Sequence, residues 1–303
     1  MTAAALAPAP FGRVLTAMVT AFADDGSVDL EATARVATYL ADNGHDGLVV
    51  SGTTGEAPTT TVEEDAQILR AVIDAVGDRL KIVAGVGTNN TAHSIELAEQ
   101  AFKVGADGLL VVTPYYNKPS QEGVAAHFDA VARATELPVM LYDIPGRAGI
   151  AIAEDTYKRV AENPRIVAVK DAVGNLFRGV RIMDATGLAF YSGDDVMNLG
   201  WLSHGGCGVV SVVGHVAGNE NAAMIRALES GDLAEALEIY RRLVPVTAAI
   251  MTRAPGAVTA KAAMQLLGVL ENRNMRLPLL PAGDDLVALL RTELTNAGLL
   301  QTA

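Results

Sequence analysis

The chain has 303 residues, half of them hydrophobic, and 23 Lys and Arg against 35 Asp and Glu give it a formal net charge of −12. An acidic surface repels nucleic acid and anionic membranes, and no apolar stretch reaches the roughly 20 residues of a bilayer span, so neither is an expected partner. The single cysteine, Cys207, excludes an intrachain disulfide; following Gly205-Gly206 at the start of an apolar run, it reads as a buried structural thiol in a cytoplasmic protein.

From the N-terminus, MTAAALAPAPF lacks the basic region of a signal peptide, and residues 1–12 read as a flexible tail. Eight short apolar runs follow: VLTAMVTAF (14–22), GLVVSG (47–52), KIVAGVG (81–87), GLLVVTP (108–114), PVMLYDIP (138–145), IVAVKDA (166–172), AFYSGDD (189–195) and GVVSVVG (208–214). Several start just after a helix-stopping glycine or proline, such as Gly105, Pro138 and Gly187. The segments between them have helical spacing. Over 61–76, Ile68, Leu69, Val72, Ile73 and Val76 form one stripe, with Thr61 and Glu64 spaced as a capping box. Over 89–106, Ile95, Ala98, Ala101 and Phe102 do the same, with Asn90 or Thr91 as cap. Strands alternating with helices imply a parallel sheet covered by helices, and eight such units fit an α/β fold of the closed (β/α)8 TIM-barrel type. Beyond about residue 220 only helical patterns remain. The expected organisation is a barrel over 13–225 and a C-terminal helical appendage over 226–303 packed on it.

In such barrels chemistry sits at the C-terminal ends of the strands, so the residues following each run carry the functional reading. Within RIVAVKDA (165–172), alternation puts Ile166, Ala168 and Lys170 on one face. A lysine aimed into a dry barrel has its pKa lowered, by roughly 3–5 units at full burial, and the neutral amine can form an imine with a carbonyl compound. The plainer reading pairs Lys170 with Asp171 or lets it snorkel to solvent. SGTTGE (51–56) offers consecutive N–H groups to a carboxylate or phosphate, or is an ordinary strand-to-helix turn. Tyr142 faces inward, as a proton relay or as a core tyrosine. Arg147 is either a carboxylate clamp or a solvated loop residue. Tyr115 and Tyr116 either seal a subunit interface or pack on Pro114 and Pro119.

Rival chemistries fit less well. GVGTNN (85–90), with Asp107 beyond it, resembles a dinucleotide fingerprint, but Asn90 replaces the third glycine and the unit is the third, not the first. A glycosidase needs two facing carboxylates; Glu56, Asp194 and Asp195 are available, yet the fourth run ends in none, and Asp194-Asp195 read as helix caps. Histidines 45, 93, 127, 204 and 215 never take ligand spacing, so no metal is expected.

Taken together, GTTGE (52–56), TPYYNKPSQEG (113–123), YDIPGR (142–147), VAVKDA (167–172), SGDD (192–195) and GVVSV (208–212) resemble, in order and spacing, the dihydrodipicolinate synthase family of the pyruvate-dependent aldolase/lyase superfamily, with an actinobacterial likeness over about residues 14–270. The resemblance implies that Lys170 forms a Schiff base with pyruvate, whose enamine attacks L-aspartate 4-semialdehyde. It implies a proton relay of Thr53, Tyr142 and Tyr116, the last given by a neighbouring subunit of a dimer of dimers. Thr54 would hold the pyruvate carboxylate and Arg147 that of the second substrate, with Gly193 and Val210 lining the pocket and no cofactor. N-acetylneuraminate lyases and 2-keto-3-deoxy sugar acid aldolases share the lysine and the glycine-threonine turn but generally lack the arginine and the tyrosine pair. A non-catalytic pyruvate-binding relative would lose a relay member, and Thr53, Tyr116, Tyr142 and Lys170 all stand. Two departures matter. Val62, Asp65 and His93 replace the two histidines and the glutamate of lysine-inhibited relatives, so weak or absent lysine inhibition is expected. Asp143, Gly146 and Ala148 depart from a Tyr-Asn-Val-Pro-x-Arg-Thr pattern that keeps Tyr142 and Arg147.

Overall fold

The computed structural model describes residues 6–301. Its centre is a closed barrel of eight parallel strands in chain order: β1 (Val14–Ala17), β2 (Gly47–Val50), β3 (Lys81–Gly85), β4 (Gly108–Val112), β5 (Val139–Asp143), β6 (Ile166–Asp171), β7 (Ala189–Ser192) and β8 (Gly208–Ser211). β8 closes on β1 with Leu15 opposite Val210. Around it run α1 (Leu30–Asp42), α2 (Val62–Val76), α3 (Thr91–Val104), α4 (Gln121–Arg133), α5 (Pro145–Ala148), α6 (Glu154–Val160), α7 (Leu176–Thr186), α8 (Asn198–Ser203) and α9 (Gly214–Glu229). The C-terminal helices are α10 (Leu233–Met251), α11 (Gly256–Leu266) and α12 (Asp284–Asn296). Among the described residues no single helix is long and apolar enough to cross a membrane.

The helix boundaries follow local chemistry. The capping box at α2 is complete: Glu64 N–H donates to Thr61 Oγ1 at 3.2 Å and Thr61 N–H to Glu64 Oε2 at 2.9 Å. Asn90 caps α3, its side chain accepting from Ala92 N–H at 3.1 Å, which is the work of this residue in the GVGTNN stretch. Gly105 and Gly187 end α3 and α7 at φ +104° and +70°, a conformation that favours glycine.

Two layers of apolar side chains result. Leu15, Val49, Val83, Leu110, Met140 and Ala168 fill the barrel, while Leu48, Ile82, Leu109, Leu141, Val169 and Phe190 face the helices. Three expectations need correction. Ile166 lies in the outer layer, not beside Ala168 and Lys170. A bulge shifts the register from Val139 opposite Ile166 to Met140 opposite Ala168, and the extra residue resets the alternation. Phe102 is 48% exposed, because the buried face of α3 runs through Ser94, Leu97, Ala98 and Ala101. The expected tail ends earlier than residue 12: residues 1–5 lie outside the described residues, but Phe11 is buried beneath the barrel, its N–H donating to Tyr191 Oη at 3.1 Å.

The expected boundary at residue 225 falls inside α9, which serves both regions. Its Met224 and Ile225 pack with Val14 and Val209 of the barrel, and Val216 and Ala217 join the core of the C-terminal helices. Ala217 has non-helical backbone angles, so the helix bends where it changes partners.

Candidate active site

The ends of β5 and β6 place two chemical groups side by side. Tyr142 is opposite Lys170 in the ladder, and Lys170 is opposite Tyr191. Downstream of the bulge the side chains of Tyr142 and Lys170 both point inward. Lys170 is 4% exposed and its Nζ lies 4.2 Å from the centre of the Tyr142 ring. Among the described residues it makes no ion pair. Asp171 is engaged elsewhere, accepting from Val173 and Gly174 N–H at 3.0 Å each. Burial lowers the Lys170 pKa to about 8; Asp195 and Asp194 pull it up and Arg147 pulls it down. Gly193 makes room for this side chain, since a Cβ there would lie 2.7 Å from Lys170 Cγ. Val210 is buried in the same interior cluster as Tyr142.

Burial also raises the Tyr142 phenol pKa, and Arg147 opposes the shift. The Tyr142 backbone is fixed by a residue that sequence reading missed. Thr113 gives both its N–H, at 3.0 Å, and its hydroxyl, at 3.1 Å, to the Tyr142 carbonyl. Asp195 was also missed in its real role. Asp194 caps the short turn that follows it, through Val196 N–H at 3.3 Å. Asp195 instead reaches the corner between β8 and α9, accepting from Val212 and Val213 N–H at 2.8 and 3.0 Å and from the Ser211 hydroxyl. These contacts join segments far apart in the chain, and no local pattern announces them.

Above these groups opens a cavity of about 880 Å³, lined by Thr53, Tyr115, Tyr116, Tyr142 and Arg147 among others. Ser51 and Glu56 bracket the Gly52–Gly55 turn at φ +53° and +60°. Within it Glu56 N–H donates to the Thr53 carbonyl at 3.2 Å. The N–H groups of Thr53, Thr54 and Gly55 have no hydrogen-bond partner among the described residues. Thr53 is exposed toward the cavity, whereas Thr54 is buried. Arg147 sits on the single-turn α5, which Pro145 starts and Gly149 ends at φ +82°. Its side chain is exposed and makes no ion pair among the described residues. Tyr116 N–H donates to the Ala148 carbonyl at 3.3 Å, tying the two loops together. The Tyr116 ring is 87% exposed at φ +73°, so the packing on nearby prolines is not what holds it.

The site thus brings Lys170, Tyr142, Gly193 and Val210 together in the barrel, with Thr53, Arg147 and Tyr116 at its mouth. Glu56, a carboxylate considered for glycosidic chemistry, is consumed in an ion pair with Lys261 at 2.5 Å.

The Dihydrodipicolinate synthetase family model matches residues 10–297. The chain belongs to this family. It is 58% identical over 290 residues to the 4-hydroxy-tetrahydrodipicolinate synthase of Kineococcus radiotolerans, covering 96% of this chain and 94% of that one. It is 56% identical to the enzyme of the same name from Acidothermus cellulolyticus, covering 98% and 96%. Among solved dihydrodipicolinate synthases, that of Cyanidioschyzon merolae with lysine bound superposes with a TM-score of 0.93 at 44% identity, covering 96% of this chain and 99% of that one. Within the family frame, Lys170 is the lysine of the VAVKDA segment and Tyr142 the tyrosine of the fifth strand, the two residues that the ladder sets opposite each other.

Proposed function

We propose that this barrel is a lyase acting as a 4-hydroxy-tetrahydrodipicolinate synthase, condensing pyruvate with L-aspartate 4-semialdehyde in lysine and diaminopimelate biosynthesis. The observation that carries this reading is Lys170, a buried amine without an ion-pair partner among the described residues, packed against the ring of Tyr142, which lines the open cavity. Its neutral form adds to the pyruvate carbonyl carbon, and loss of water leaves the protonated imine. The imine withdraws electrons, a methyl proton leaves, and the enamine carbon attacks the aldehyde of the second substrate. The amino group of that substrate then closes the ring on the imine carbon and releases Lys170. The condensation joins the two substrates with loss of one water.

The surrounding residues take their roles from where they stand. The partnerless N–H groups at Thr53–Gly55 suit the pyruvate carboxylate, with Thr54 in their midst. Arg147, on a loop reaching over the cavity, suits the carboxylate of aspartate semialdehyde. Gly193 and Val210 shape the pocket wall. Tyr142, Thr53 and Tyr116 form the proton relay, Tyr116 being supplied by a second copy of the chain in a homotetramer built as a dimer of dimers. Such an enzyme works in the cytoplasm without a cofactor. Arg147 and the tyrosine pair favour this substrate over sugar acids.

Incubation with pyruvate, borohydride reduction and peptide mass mapping tests the reading. A reduced adduct on Lys170, followed by pyruvate-dependent consumption of aspartate semialdehyde, is the expected result. An intact, unmodified Lys170 would remove the Schiff-base mechanism.

A further inference from the structure

The most deeply buried ion pair among the described residues lies outside the reacting groups. Lys261 on α11 and Glu56 at the end of the SGTTGE turn are each 1% exposed at the side chain, with Nζ to Oε1 at 2.5 Å. Both partners have a further contact. Lys261 also donates to the Asn274 carbonyl at 2.7 Å and stands 4.2 Å from the centre of the Phe22 ring. The second Glu56 oxygen accepts from Arg276 N–H at 3.1 Å. A pair this buried is a poor device for stability, because desolvation offsets most of the attraction and apolar residues of similar size do as well. Its place in the fold gives another reason for it.

We propose that Lys261 is a positioning residue for pyruvate binding: from the C-terminal helices it holds Glu56, and through Glu56 it holds the Thr53–Thr54 turn in register. The inference rests on the Schiff-base reading above. Two arguments support it. Glu56 occupies the left-handed region at φ +60°, a strained state for a residue with a side chain that persists only where the surroundings hold it. The anchors that hold it come from residues 261 and 276, more than 200 positions away in the chain. The second argument is charge. A free carboxylate two residues from Thr54 would repel the carboxylate of the substrate, and the ammonium of Lys261 cancels it. The C-terminal region is then part of the pyruvate site although it contributes no group to the reaction.

The single change Lys261→Met strands the Glu56 charge and risks misfolding. The informative protein is the double variant Lys261→Met with Glu56→Gln, which removes both charges together. It is expected to keep the wild-type oligomeric state and melting temperature within a few degrees, and to form the Lys170 adduct at saturating pyruvate. Its KM for pyruvate is expected to rise about tenfold or more, with the KM for aspartate semialdehyde within about twofold of wild type. Lys261→Arg, which keeps the charge but not the fit, is the second variant, with a smaller rise in the same constant. An unchanged pyruvate KM in either folded variant overturns the inference, as does a rise in both KM values together. Absence of a Lys170 adduct in the wild type would instead remove the reading on which it rests.

Discussion

At Lys170 burial outweighs the neighbouring charges. Asp195 and Asp194 favour the ammonium form, Arg147 disfavours it, and desolvation carries the result down to about 8 from 10.5. Below about pH 8 the folded protein holds the amine protonated and unreactive, and above it the nucleophile is free. Borohydride trapping of pyruvate at limiting time is therefore expected to rise with pH through about 8 and then level. Asp194→Asn removes a charge that pulls the pKa up, so its limb moves to lower pH. Arg147→Ala removes the opposing cation, so its limb moves higher. Stopped adduct formation with pyruvate alone reads both shifts, without the second substrate that Arg147 would bind. Limbs that coincide in all three proteins would show that another group governs the profile.

Strands buried on both faces declare themselves as apolar runs, which is why all eight are readable, together with the inward aim of Lys170 and Tyr142 and the cap at Thr61; at α3 the sequence leaves Asn90 and Thr91 open, and the structure selects Asn90. What escaped has a common cause. Alternation misplaces Ile166 because a bulge depends on the partner strand, and the helical stripe misplaces Phe102 because one stripe looks much like its neighbour until another helix covers it. Thr113 and Asp195 act on the end of the next strand of the barrel, and Lys261 reaches in from α11, where sequence spacing carries no signal. Asp143 shows how an element absorbs a departure from the family pattern. Its carboxylate, fully buried, accepts from Tyr157 Oη at 3.1 Å and from Ile152 N–H at 3.3 Å, so it ties β5 to α6 and to the segment after α5. Arg178 lies 3.6 Å away, its guanidinium also donating to the Ile152 carbonyl. Burial pushes the Asp143 pKa up to about 6, with Asp171 adding to the rise and Arg178 and the hydrogen bonds opposing it. The fold therefore binds the Asp143 proton more tightly than the unfolded chain does. This contribution is fully present below about pH 4 and is lost as pH rises through about 6. Relative to Asp143→Asn, the wild type is expected to lose about 2–3 kcal/mol across that window. Urea denaturation of both proteins at pH 4, 5, 6 and 7 measures the difference; a constant gap would refute it.

At the scale of the whole molecule, the rim of the cavity carries the features that reach beyond one active site. Beyond Thr53 the cavity continues past Val62, Asp65 and His93. Here Asp65 accepts the Thr60 hydroxyl at 2.8 Å and His93 Nδ1 lies 3.1 Å from Glu96 Oε2. With these residues in place of two histidines and a glutamate, a lysine titration into the millimolar range is expected to leave the rate nearly unchanged; strong inhibition would show that the substitutions are compatible with a lysine site. Tyr116 poses the larger question. A ring 87% exposed on a strained backbone contributes little to its own chain's stability. In the function proposed above, the ring enters the cavity of a second copy. In a symmetric pair each subunit then completes the other's site, and this is separable by complementation. Lys170→Ala alone and Tyr116→Phe alone are each expected to be inactive or nearly so, the latter losing about 10²–10⁴-fold as a proton relay member. When the two variants are unfolded together and refolded, half the pairs are mixed. Each mixed pair contains one site with both Lys170 and a donated Tyr116, so about a quarter of wild-type activity returns. If Tyr116 instead served its own chain, every site in the mixture would lack one of the two groups, and refolding would restore nothing.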